Sequence, residues 1–168
     1  MGKNKYPNKQ ETLDDLYLTI FNTHKNFFKE IPQTRETEQY STIDRQLLDR
    51  HGKRLINVEM KTRMLYINTY DTIFIEDKKW EALKKDYQEK GIIPLYINFF
   101  YDYRNVLIYN LKKYFDNILP QPETKYVTIN NWGYNRIDKN QLRYLLPLRH
   151  GIFYEFDQEQ QKYIKKWG

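Results

Sequence analysis

Residues 41–63 read STIDRQLLDRHGKRLINVEMKTR, and this stretch decides the fold. Gln46–Leu48 and Leu55–Val58 are biased towards apolar residues, as strands are. Between them Asp49-Arg50-His51-Gly52-Lys53 gathers turn-forming and solvated residues, with Gly52 where a positive φ is needed. The stretch therefore reads as a β-hairpin. With His51 and Gly52 as a two-residue loop, facing residues have numbers that sum to 103, which sets Asp44 opposite Glu59 with Cβ atoms about 5 Å apart.

Period-two alternation then puts Lys61 on the same face as Glu59. Two carboxylates and an ammonium on one patch of sheet suit Mg²⁺ or Mn²⁺, which take hard oxygen ligands, while the lysine stabilises an attacking hydroxide or the charge on a phosphate. This is equipment for phosphodiester hydrolysis. Glu-x-Lys occurs three times, at Glu59/Lys61, Glu76/Lys78 and Glu123/Lys125, but only Glu59 has an acid at the mirrored hairpin position. A solvent-facing cross-strand salt bridge of Asp44 and Glu59 with Lys61 and Arg45 uses the same letters and stays open as a second reading. Asp49 is the rival acid to Asp44, but it pairs with Arg54 and lies about 17 Å along the strand from Glu59.

Asp44, the hairpin and Val58-Glu59-Met60-Lys61 together resemble the PD-(D/E)XK nuclease superfamily, with its restriction-endonuclease-like fold. Ile43 stands where the name-giving proline would be. The resemblance spans Leu13 to Leu111. It implies Asp44, Glu59 and Lys61 as catalytic residues. Asp44, Glu59 and the Met60 carbonyl are then the metal ligands, and the product carries a 5′-phosphate. In such nucleases an acid from or after the first helix adds to the metal site, for which Glu30, Glu36 and Glu38 are the candidates, beside their reading as solvated loop residues.

The 168-residue chain is expected to be a single domain, with residues 11–115 as the nuclease-like core and 116–168 as a C-terminal extension packed on it. The absence of Cys excludes a disulfide framework and thiolate zinc sites. Ser41 is the only serine and has no nucleophile elbow around it. Six scattered glycines build neither a P-loop nor a dinucleotide fingerprint. A formal charge of +6, with 28 Lys and Arg interleaved among 16 Tyr, 9 Phe and 3 Trp, suits a polyanionic partner such as DNA, although most of the aromatics belong in a core. No export signal and no membrane span are read. A cytoplasmic protein is expected, in the host cytoplasm if phage-encoded, since the wealth of Lys, Asn, Ile and Tyr resembles the output of an AT-rich genome.

Along the chain, Leu13, Leu16, Tyr17, Ile20, Phe21, His24, Phe27 and Phe28 recur at helical spacing, with His24 packed rather than ligating. Gln33–Gln39 reads as a polar connection. Met64–Ile67 is expected to prolong the second hairpin strand, and Asp71–Ile75 to form a third. A helix then runs to Lys90 and stops at Gly91, and Ile92–Tyr101 and Val106–Leu111 are paired strands. Further on, Tyr126–Ile129 reads as an edge strand and Asp138–Leu146 as a short helix stopped by Pro147. Ile152–Phe156 reads as a strand, and residues 158–168 as a polar tail.

The class is thus α/β, a mixed central sheet flanked by helices with an αβββαβ core and C-terminal additions. The expected function is metal-dependent endonucleolytic cleavage of DNA, of a resolvase or phage-recombination type, by a monomer or homodimer. Arg63, Lys78, Lys79, Arg136, Arg143 and Arg149 are the candidate nucleic-acid contacts. The alternative is a nuclease fold used structurally in a phage virion, as a connector or packaging component.

Overall fold

The computed structural model describes residues 9–25, 27, 33–36, 43–49, 51–101, 103–129 and 139–168. The hairpin stands at its centre. Strands β2 (Arg45–Leu48) and β3 (Arg54–Arg63) pair antiparallel, with Arg45 opposite Val58, Gln46 opposite Asn57 and Leu47 opposite Ile56. These pairs keep the expected sum of 103, but the tip closes differently. The Asp49 N–H donates to the Lys53 carbonyl at 2.8 Å, so three residues close the loop, with Gly52 at φ 76°. Leu48 then pairs with Arg54, leaving Leu55 as the extra residue of a β-bulge that restores the register further along. Asp49 accepts the His51 and Lys53 N–H groups, which holds its carboxyl below the usual range. It builds the turn and takes no part in the acid pair.

β3 ends at Arg63, and Ile67–Thr69 forms a 3₁₀ turn, so the expected prolongation to Ile67 does not occur. Helix α2 (Asp77–Lys90) ends at Gly91, whose φ of 68° suits a helix C-cap. It carries the chain back so that β5 (Ile93–Phe100) lies parallel to β3, and β6 (Asn105–Asn110) returns antiparallel. β5 is buried along nearly its whole length, as a strand covered on both faces must be.

The main sheet has seven strands in the order β1-β2-β3-β5-β6-β9-β10, with β1 (Gln33–Glu36), β9 (Ile152–Asp157) and β10 (Lys162–Trp167) completing it. Residues 33–36, read as a connection, are therefore an edge strand, and most of the expected polar tail is the other edge. The third expected strand, β4 (Thr72–Glu76), leaves this sheet. It pairs with β8 (Lys139–Pro147), which pairs in turn with β7 (Glu123–Ile129), to make a separate three-stranded sheet. The helix expected over 138–146 is thus the central strand of that sheet, with one neighbour, β7, just before it in the chain and the other, β4, remote in sequence.

The protein is a mixed α/β structure in layers. Helix α1 (Lys9–Lys25) covers one face of the main sheet, burying Leu18 and Phe21 against Leu47, Val58, Met60, Ile97 and Phe99. On the other face α2, the short α3 (Lys112–Phe115) and the small sheet enclose Trp80, Leu83, Tyr109 and Leu146. No helix among the described residues is long and apolar enough to cross a membrane.

Candidate active site

Strand β3 alternates between these two layers. Ile56, Val58 and Met60 point into the apolar layer under α1, where Thr62 adds a hydrogen bond to the buried Asp14 carboxylate. Asn57, Glu59, Lys61 and Arg63 point the other way, towards α2, and form a row of polar side chains along the strand.

The second residue of that row is the centre of the site. Continuing the β2–β3 register by one residue puts Asp44 opposite Glu59, and both carboxylates reach one cation. Lys79 Nζ, from the first turn of α2, lies 2.8 Å from Glu59 Oε2 and 3.1 Å from Asp44 Oδ1. The other Asp44 oxygen accepts the Met60 N–H at 2.8 Å, replacing a ladder bond at the point where β2 begins. Because N–H and C=O of one strand residue point to the same side, the Met60 carbonyl opens towards Asp44 as well. Among the described residues no third acid, histidine or cysteine joins these two as a metal-holding group.

Glu59 is only 7% exposed, so the cluster is not the solvent-facing salt bridge that the sequence left open. Burial, aided by the charge of Asp44, raises the Glu59 pKa well above the ordinary carboxylate value against the pull of Lys79. For Lys79 burial acts to lower the pKa, but the Glu59 and Asp44 carboxylates outweigh it and hold the ammonium above its usual value. The expected cation partner Arg45 instead pairs with Asp15 of α1, on the opposite face.

Lys61 stands one position further along, opposite Asn98 of β5. Asn98 is fully buried. Its Oδ1 accepts from Arg63 Nε at 2.7 Å, while its Nδ2 has no hydrogen-bond partner among the described residues. At that depth the orphaned donor is suited to a buried water rather than to a group arriving from solvent.

The expected nucleic-acid contacts divide by placement. Arg63 is buried, with its guanidinium on the Phe74 carbonyl, Tyr96 Oη and Asn98 and over the Phe74 ring at 4.7 Å. Arg143 lies over the same ring at 3.8 Å. Lys78 and Arg149 are exposed, whereas Arg136, Glu30 and Glu38 lie outside the described residues. Glu36 ends β1, opposite Arg45 in the register.

Sequence reasoning placed Lys79 on a surface rather than in the acid pair. One signal could have found it. A lysine in the first turn of a helix opposes the helix dipole, and therefore calls for a negative partner. No protein-family model, no curated protein and no solved structure matches the chain.

Proposed function

We propose that the chain is a divalent-metal-dependent DNA endonuclease of the restriction-endonuclease-like kind. The observation that carries this reading is the convergence of Asp44 and Glu59 on a single cation, Lys79 Nζ. Two hard oxygen donors that already gather one positive charge, beside the Met60 carbonyl, fit Mg²⁺ or Mn²⁺. The described elements run α1, β1, β2, β3, β4, α2, β5, one strand more than an αβββαβ core before the second helix, with β4 paired outside the main sheet.

Asp44, Glu59 and the Met60 carbonyl hold the ion, which when bound supplies Lewis-acid stabilisation of charge on the scissile phosphate. Lys61 Nζ donates to a phosphate oxygen or to the attacking water, holding it in line. Until the ion takes its place, Lys79 keeps the two carboxylates together and balances their charge. Resolvase and recombination enzymes are the type that such a small basic domain suits best.

The test is Mg²⁺- or Mn²⁺-dependent cleavage of supercoiled, linear, single-stranded and four-way-junction DNA by the purified protein beside Glu59→Ala and Lys61→Ala. Each substitution is expected to lower cleavage about a hundredfold or more. Cleavage at the wild-type rate by both variants would remove the assignment.

A further inference from the structure

Most aromatic rings among the described residues are packed in the two layers, but Tyr66, Tyr70, Tyr101, Tyr126 and Trp167 are exposed, and two of these five stack on each other. Tyr66 and Tyr101 stand 63% and 50% exposed with their rings parallel, 4° apart in plane and 4.9 Å between centroids. Met64 and Tyr70 beside them in sequence are more than half exposed as well. The pair sits where β3 and β5 end, joined by the Tyr101 N–H donating to the Arg63 carbonyl at 2.8 Å. Ligands of α/β sheets bind outside the carboxyl ends of parallel strands, and β3 and β5 are the parallel pair of this sheet.

Tyr101 holds its place under strain. Its φ is 55°, in the left-handed region that a bulky side chain rarely adopts and that glycine would take freely. Strain of this sort, kept at an exposed ring that fills no core, is a pattern of binding surfaces. β3 also carries Glu59 and Lys61, and four steps along that strand separate Glu59 from Arg63, about 13 Å. A nucleic-acid strand covers that distance in a few nucleotides.

We infer that the Tyr66–Tyr101 pair is a stacking platform for unpaired nucleobases, so that the DNA cut at the Asp44–Glu59 site carries a single-stranded stretch next to the scissile phosphate. This rests on the hydrolytic reading of that site. Flat rings with a free outer π-face match a base, which stacks without regard to sequence, and the chain's charge of +6 suits the accompanying phosphates. Paired bases inside a duplex are already stacked on one another and cannot use the platform.

The experiment is fluorescence anisotropy with a labelled oligodeoxynucleotide, single-stranded or annealed to its complement, in EDTA so that nothing is cleaved. The wild type should prefer the single strand, and Tyr66→Ala and Tyr101→Gly should each weaken that binding roughly tenfold while changing duplex binding little. Glycine is chosen at 101 because it accepts the backbone conformation and leaves folding out of question. Unchanged single-strand binding by both variants overturns the proposal. So does unchanged binding accompanied by a loss of dimer on a sizing column, which would assign the platform to a second copy of the chain. Binding is read without metal, so a protein that never cleaves DNA still answers the question, and failure of the hydrolytic reading is a separate result.

Discussion

The two faces of β3 differ in kind. Towards α1 the strand presents Ile56, Val58 and Met60 to an apolar layer in which Phe21 packs edge-on against Tyr163 at 4.8 Å. Towards α2 the same ten residues present Asn57, Glu59, Lys61 and Arg63, each needing a polar or charged partner. A strand that is buried on both sides has no physical need for four such residues in a row, because apolar ones would fill the space at no desolvation cost. One face serves stability, and the other gives some of it up to place charge.

The sharpest way to break the comparison is to attack the stable face. Phe21→Ala should cost about 4 kcal/mol, read by denaturant unfolding, and leave metal binding by the remaining folded protein unchanged. A smaller effect is expected across the sheet. Lys79→Met removes the cation set between the buried Glu59 and the half-buried Asp44, at a cost of about 2 kcal/mol, reduced from the fully buried case because water reaches the cluster. Added Mn²⁺ should recover that loss and raise the variant's Tm more than the wild type's. No shift with Mn²⁺ in either protein would leave the acid pair a structural feature alone.

The smallest effect sharpens the contrast through pH. Asp86 is 9% exposed and accepts from Asn57 Nδ2 at 2.8 Å and Lys90 Nζ at 2.5 Å. Burial works to raise its pKa, but the Lys90 and Asn57 hydrogen bonds and the nearby Arg54 prevail and hold it below the ordinary 3.8. A depressed carboxyl contributes stability above its unfolded pKa and loses it as pH falls through the folded value. Asp86→Asn should therefore cost about 1 kcal/mol at pH 7 and nothing once both forms are protonated below the folded pKa, as unfolding curves across pH would report.

The parts of this fold legible in the sequence were those fixed by local chemistry. Gly52 and the turn residues around it gave the hairpin and the Asp44–Glu59 facing. The helix to Lys90 announced itself by its apolar stripe and Gly91, and β5 by an unbroken apolar run. What was not legible depended on distant partners. Residues 141–147 are half-buried but for Leu146, with no clean alternation, and the strand state of this segment is fixed by its pairing with β4 and β7. β4 itself alternates as any strand would, and nothing local says which sheet it joins. Lys79 was found as a basic helical residue, but its place between two acids depends on how α2 crosses β3.

The hairpin tip carries one more consequence. A flush ladder with a two-residue loop and the observed three-residue loop with its bulge at Leu55 use the same number of residues, and both leave Leu47 opposite Ile56. The tip is a phase corrector. Either closure keeps Asp44 on the rung of Glu59. A single-residue insertion there has no such remedy unless the bulge takes it up, and otherwise exchanges the polar row of β3 for its apolar one.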